Sequence, residues 1–157
     1  MHIERTHDLA YVREVMTHPA IWPHVSDDTG DRDTYAPPDH ESIYWLVPVD
    51  AAPLGVFLVH PHSAVCWEVH TALLPQARGG KADEAAQALI AWVFGNTSCQ
   101  KLITHVPAYN RRALAFAKRA GLVEEGRVTR SFLRRGSLID QYLLGICKES
   151  PCQQQQS

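Results

Sequence analysis

The chain has 157 residues, 17 of them acidic and 15 basic, which gives a formal net charge of −2. This length is typical of one domain that buries roughly 70% of the surface of its unfolded chain. The near-neutral charge argues against a nucleic-acid partner. No apolar run approaches the roughly 20 residues that span a bilayer, so we expect no membrane partner.

The four cysteines lack both a Cys-x-x-Cys spacing and the density of a disulfide scaffold. The first residues lack the charged and apolar segments of a secretory signal. We therefore expect a cytoplasmic protein in a reducing compartment. Residues 1–148 are predicted to form one domain, and residues 149–157, with four consecutive glutamines, a disordered tail.

The first half of the chain alternates short apolar runs with turn residues. Residues 2–6 fit a strand, residues 8–17 carry apolar side chains at helical spacing, and residues 21–25 fit a second short helix. A loop rich in Asp, Gly and Pro follows. The apolar runs 43–49 and 54–60 then predict two strands of a hairpin.

The second half predicts a strand at 65–74, a helix at 81–94, a strand at 101–106 and a helix that begins at Asn110 and stops at Gly121. Two further strands, at 123–133 and 138–146, are separated by a turn signal and predict a final hairpin. This order of elements indicates an α+β protein with a mixed, mainly antiparallel sheet.

The turn between the strand at 65–74 and the next helix contains Gly79 and Gly80. A strand, a glycine turn and a helix in this order direct unpaired N–H groups and the positive helix end at one point. Such an arrangement binds phosphate without a side chain. Arg78 and Lys81 would either add positive charge to this site or remain solvated.

The helix after Asn110 presents a face of mostly small side chains. Asn110 suits an N-cap, and the apolar residues Ala113, Phe116, Ala117 and Ala120 recur at helical spacing. A face of this kind allows another molecule to approach the backbone closely.

Residues 75–86 and 110–126 together resemble the two acyl-CoA motifs of the GNAT superfamily of N-acyltransferases, and the arrangement is similar to its small phage and bacterial members. The resemblance implies the GNAT fold, in which a sheet of about seven strands with a V-shaped split is flanked by about four helices. It also implies that acetyl-CoA is the acyl donor, with its pyrophosphate on the glycine turn and its pantetheine in the split. By position, the implied coenzyme-binding residues are Leu73, Leu74, Arg78, Gly79, Gly80, Lys81, Ala82 and Asn110.

The chain departs from the family pattern at two positions. Ala77 stands where the family turn has Arg or Gln, and Arg78 comes one place later. Ala117 stands where many members carry the tyrosine that protonates the leaving thiolate. Other candidates for this acid are Tyr109, Tyr142 and Cys66; alternatively, the thiolate leaves unassisted or takes its proton from the attacking amine.

The candidates for the general base are Glu68 and His70. They alternate along one strand with Cys66 and Ala72, so these four side chains share a face. The opposite face, residues 65, 67, 69, 71 and 73, has a core pattern. A base that removes the amine proton contributes roughly 100- to 10,000-fold to the rate. Burial would raise the pKa of Glu68; alternatively, the pair only ties the strand to a neighbour.

These observations predict an N-acetyltransferase that moves an acetyl group to a primary amine of a small molecule or peptide. The alternative is a catalytically degenerate domain that binds acyl-CoA or a protein partner. We expect no metal, because His60 and His62 lack a third ligand. Six acidic residues between 27 and 41 could attract a cationic amine or simply be solvated. Pairing of strand edges through the last hairpin would form a homodimer.

Overall fold

The computed structural model of the protein describes residues 1–149. The predicted disordered tail falls almost entirely outside these described residues. The strands are β1 (His2–Thr6), β2 (Tyr44–Asp50), β3 (Ala52–Pro53), β4 (Gly55–Pro61), β5 (Cys66–Leu73), β6 (Lys101–Pro107), β7 (Val123–Arg134) and β8 (Ser137–Cys147). The helices are α1 (Leu9–Met16), α2 (Trp22–Val25), α3 (Gly80–Asn96) and α4 (Arg111–Arg119), with a 3₁₀ turn at Pro75–Ala77.

The strands form one sheet in the order β1-β2-β4-β5-β6-β8-β7, and the short β3 pairs with β2 beside this path. Every neighbouring pair is antiparallel except β5 and β6, which are parallel because α3 connects them. The predicted α+β sheet of about seven strands with about four helices is therefore confirmed.

The sheet splits between β5 and β6. Their pairing covers only three positions and ends at Glu68 and Ile103. The Val65 carbonyl accepts from the Lys101 N–H, and the Val69 carbonyl accepts from the Thr104 hydroxyl at 3.0 Å. Because backbone groups alternate along a strand, the N–H and C=O groups of odd-numbered β5 residues face β6. Beyond Val69, the N–H and C=O groups of Thr71 and Leu73 face the split, where no strand of the described chain pairs with them.

Helices cover both faces of the sheet. On one face, Trp67 and Val69 of β5 pack with Leu89 and Val93 of α3. On the other face, Val12 and Val15 of α1 pack against a cluster that includes Ala72 of β5. The two faces of β5 therefore lie in different cores, and its polar residues occupy the segment where the strand leaves β6.

The predicted core face of β5 is only partly correct. Trp67 and Val69 are buried, but Val65 precedes the strand and is 52% exposed, and Thr71 is exposed. Thr71 pairs with Phe57 of β4, but it lies where β6 has diverged, so no β6 residue lies beside it. Among the described residues, no helix has the length and apolarity that a bilayer crossing requires.

The loop between α2 and β2 is tied to its neighbours. The Arg13 side chain donates to the Tyr35 and Asp33 carbonyls at 3.0 and 3.1 Å. Asp28 accepts from the N–H groups of Arg135 and Gly136 at 2.9 and 2.8 Å, and these bonds hold the pKa of its carboxyl below the usual range. Hydrogen bonds therefore hold this loop against α1 and the β7–β8 turn.

Candidate active site

The glycine turn before α3 is open to solvent. Gly79 has φ 80° and precedes the first helical residue, Gly80. A Cβ added at either glycine would meet no atom within 4 Å. Ala82 donates its N–H to Gly79, but within residues 1–149 no hydrogen-bond acceptor is found for the N–H groups of Gly79, Gly80 and Lys81. The turn thus offers free donors at the positive end of a 17-residue helix.

The charged side chains around this turn differ in their partners. Arg78 is exposed, and within the described chain it forms no ion pair. The Lys81 Nζ lies 3.4 Å from the Asp50 carboxylate. The Asp83 carboxylate lies 3.2 Å from the Arg119 side chain of α4. It therefore pairs with α4 and not with the free N–H groups of the turn. Ala77, at the family's Arg or Gln position, is fully buried.

Asn110 caps α4. Its Oδ1 accepts from the Ala113 N–H at 3.1 Å. This confirms the predicted N-cap. Within residues 1–149 the Asn110 Nδ2 group makes no hydrogen bond, so it can donate to a further acceptor. Ala117 and Ala120, on the predicted small face, are buried at 7% exposure each.

A cleft of about 610 Å³ passes through the split in the sheet. On one side it is lined by the small face of α4, and on the other by Met16, His24 and Val25 near α1 and α2. Glu68, His70 and Asn110 line the cleft. Leu73, Leu74 and residues 78–82 do not line it; they lie farther along β5 and at the start of α3.

Glu68 is buried at 6% exposure and lies at the centre of a cluster of histidines. Its Oε1 lies 2.6 Å from His62 Nε2, and its Oε2 lies 2.9 Å from His105 Nδ1. His70 Nε2 lies 3.5 Å from the same Oε2 and 3.1 Å from His60 Nε2. The predicted pair Glu68 and His70 is thus one unit with three further histidines.

The predicted rise in the pKa of Glu68 is wrong. Burial alone raises this pKa, but the hydrogen bonds from His105 and His62 outweigh burial, and the pKa lies below its ordinary value. Glu68 is therefore ionised at neutral pH and is a weak base. The partial burial of His70 also lowers its pKa, although about half of the side chain is exposed, and the nearby Glu68 carboxylate only partly opposes this.

His70 has the ring nitrogen that can accept a proton. Its side chain is 49% exposed. Within residues 1–149 its Nδ1 makes no hydrogen bond, whereas its Nε2 lies beside His60 and Glu68. With hydrogen on Nε2, the lone pair of Nδ1 is available to a substrate or a water molecule.

None of the three candidate acids lines the cleft among the residues the structure describes. The buried Tyr109 hydroxyl has no hydrogen-bond partner within residues 1–149, and the Arg134 guanidinium lies 3.7 Å from the Tyr109 ring centre. The Tyr142 ring lies under Arg127 at 5.0 Å, and Cys66 lies at the paired end of β5. Ala117 lines the cleft at the position where the family has tyrosine.

The sequence pattern did not identify His62 and His105 as contacts of Glu68. His62 follows β4, whose register with β5 places His60 opposite Glu68. His105 lies two residues beyond Ile103, the last β6 partner of β5. The short turn between the predicted strands at 54–60 and 65–74 was a signal that these strands pair, and their pairing would have identified His60 and His62 as neighbours of Glu68.

A family model described as an acetyltransferase (GNAT) domain matches residues 2–123. No protein of curated function has significant sequence similarity to the chain. Among solved structures, spermidine N-acetyltransferase from Vibrio cholerae, in complex with CoA and spermine, is similar with a TM-score of 0.75. The identity is 16%, over 92% of this chain and 94% of that chain.

A second similar structure is ribosomal-protein-S5-alanine acetyltransferase from Vibrio fischeri, with a TM-score of 0.75 and 14% identity over 94% of this chain and 93% of that one. An acetyltransferase (GNAT family) from Bacillus anthracis has a TM-score of 0.60 and 19% identity, over 69% and 68%. At these identities the structures establish a shared fold. Because the family model covers most of the chain, this protein belongs to the GNAT acetyltransferase family.

Proposed function

We propose that the chain is an acetyl-CoA-dependent N-acetyltransferase that acts on a primary amine. The observation that carries the proposal is the divergence of β5 from β6 directly after Glu68, where Glu68 and His70 line a through-going cleft. This divergence leaves room for an extended acyl chain beside β5. The cleft reaches the reacting centre from two sides, as a two-substrate transfer requires.

The coenzyme would lie along the free edge of β5. The N–H groups of Gly79, Gly80 and Lys81 would hold its pyrophosphate, with Arg78 and Lys81 adding charge. Leu73, Leu74 and Ala82 would lie beside the chain between the pyrophosphate and the thioester. Asn110 Nδ2 would donate to the coenzyme while its Oδ1 caps α4.

In this proposal, His70 acts as the general base and Glu68 as the carboxylate that positions it. The amine nitrogen attacks the thioester carbonyl carbon while Nδ1 of His70 takes an amine proton, directly or through water. The imidazolium that forms lies beside the ionised Glu68 carboxylate, with 3.5 Å between Nε2 and Oε2. A backbone N–H of Thr71 or Leu73 would donate to the oxyanion.

The leaving group needs no separate acid in this scheme. When the C–S bond breaks, the thiolate takes the proton that left the amine, so the products are the amide and neutral coenzyme A thiol. This agrees with two observations. Ala117 stands where many family members have the tyrosine that acts as the acid, and among the described residues Tyr109, Tyr142 and Cys66 do not line the cleft. The same observation favours one alternative function, a degenerate domain that binds acyl-CoA without transfer.

The acceptor would enter on the α1 and α2 side of the cleft. The similar Vibrio cholerae enzyme is described as a spermidine N-acetyltransferase, and the acidic loop of this chain would favour a cationic amine of that kind. The test is release of free thiol from acetyl-CoA across a panel of polyamines, peptide N-termini and lysine. Amine-dependent thiol release is expected; coenzyme binding without release would favour the degenerate domain, and no binding at millimolar acetyl-CoA would exclude both.

Gly80→Ala separates coenzyme binding from folding. A Cβ at this position meets nothing within 4 Å among the described residues, and Gly80 is the first residue of α3 and has no positive φ. We therefore expect unchanged or slightly higher stability. The Cβ would nevertheless occupy the surface proposed for the pyrophosphate, so calorimetry should give a Kd for acetyl-CoA raised about tenfold, equivalent to about 1.4 kcal/mol.

Gly95→Ala is the matched control, because it lies in the same helix, also meets nothing within 4 Å, and is at the opposite end from the turn. It should leave the Kd for acetyl-CoA unchanged. Equal Kd values for Gly80→Ala and the wild type would mean that the glycine turn does not hold the coenzyme.

A further inference from the structure

The histidines beside Glu68 bring together a set of metal-binding atoms. His60, Glu68 and His70 each offer one ligand atom, and these atoms lie within 4.8 Å of one another. The sequence predicted no metal because His60 and His62 lacked a third ligand. The β4–β5 register supplies two more ligands by placing Glu68 opposite His60 and His70 opposite Leu58 on the same face.

Two of the three distances between the ligand atoms match those around one small cation, and the third is at most 4.8 Å. A tetrahedral site with bonds of about 2.0–2.1 Å places its ligand atoms about 3.3–3.4 Å apart. His60 Nε2 and His70 Nε2 are 3.1 Å apart, and His70 Nε2 and Glu68 Oε2 are 3.5 Å apart. The two imidazole rings are inclined by only 11°, with their centres 5.2 Å apart. Rotation of the two side chains would be needed to direct both lone pairs at a shared ion.

From this geometry we infer that His60 Nε2, His70 Nε2 and Glu68 Oε2 form a binding site for a divalent transition metal such as Zn²⁺. Two imidazoles and one carboxylate are a donor set that Zn²⁺ accepts, with a fourth position left for water. His62 and His105 contact the Glu68 carboxylate at 2.6 and 2.9 Å and would hold it in place as outer partners.

Metal binding would oppose acetyl transfer, a consequence that rests on the proposed function. A metal on His70 Nε2 requires the lone pair of that nitrogen, so the ring hydrogen moves to Nδ1. Nδ1 then has no lone pair for the amine proton. The Glu68 charge would also be shared with the metal. We therefore expect Zn²⁺ to inhibit the enzyme and a chelator to restore its activity.

The test is competition for Zn²⁺ between the chelator-treated protein and a chromophoric chelator, without acetyl-CoA or amine. We expect one Zn²⁺ per wild-type chain, and Co²⁺ should give the visible absorption of a tetrahedral site. His60→Ala and the size-matched His60→Gln should each weaken Zn²⁺ binding at least about 100-fold. A circular dichroism spectrum and melting curve for each variant would verify folding.

His2→Ala is the matched control, because His2 pairs with Glu4 at 2.7 Å on the surface but belongs to no group of three ligands in the described chain. It should bind Zn²⁺ as the wild type does. Wild-type affinity in both His60 variants, or no stoichiometric binding by the wild type, would overturn the site. Because this measurement needs no turnover, its failure is distinguishable from failure of the proposed transfer.

Discussion

We expect His70→Ala to lower kcat by roughly 100- to 10,000-fold while the Kd for acetyl-CoA stays near the wild-type value. In our proposal Nδ1 of His70 takes the proton of the attacking amine but does not hold the coenzyme. Its loss should therefore affect the chemical step and leave coenzyme binding intact. The measurement is steady-state thiol release in the presence of a chelator, together with calorimetric titration of acetyl-CoA.

Added imidazole separates the roles of His70 and Glu68. The His70 side chain is about half exposed, so its removal leaves a space that solvent can reach. Imidazole in the medium should restore part of the rate of His70→Ala. Glu68 is buried, and Glu68→Gln removes the charge that stabilises the imidazolium without removing the base. Imidazole should therefore not rescue Glu68→Gln.

His7→Ala is the control for loss of a histidine, because His7 is exposed and precedes α1, outside the cleft lining. It should retain the wild-type kcat. A kcat for His70→Ala within threefold of the wild type would exclude His70 as the base. Rescue of Glu68→Gln by imidazole would contradict the separation of roles between these two residues.

Local sequence patterns predicted most of the secondary structure, because most helices, strands and turns depend on residues that are neighbours along the chain. Asn110 as a cap and the glycine turn before α3 are examples, because the donor, the acceptor and the helix end lie within a few residues. The observed ends of most predicted helices and strands differ from the predicted ends by one or two residues. Val65, for example, was predicted to lie in β5 but precedes it.

The environment of Glu68 was not predictable in the same way. Its partner His105 is 37 residues away and reaches it only because α3 returns the chain to a parallel strand. Burial was a reasonable inference from the strand pattern, and burial by itself raises the pKa of a carboxyl. The sign of the net change depends on two histidines that the strand pattern does not identify.

The position of β5 also depends on a glycine in the neighbouring strand β4, which lies opposite the last residue of β5. Gly55 pairs with Leu73 and has φ 132°, a conformation that residues with a side chain rarely adopt. A Cβ here would lie 2.3 Å from the Ala72 carbonyl oxygen and 2.8 Å from the Leu73 Cα. Both atoms belong to the backbone that borders the split, so neither can move without shifting β5.

We therefore expect Gly55→Ala to lower the free energy of unfolding by at least about 3 kcal/mol, from backbone strain and the steric clash together. Urea unfolding monitored by circular dichroism measures this change. Gly95→Ala is the control, because it meets no atom within 4 Å and should gain roughly 0.4–1 kcal/mol. A loss below about 1 kcal/mol in Gly55→Ala would mean that β5 can shift to accept the methyl group. The free edge of β5 would then be too compliant to hold a thioester in a fixed position beside His70.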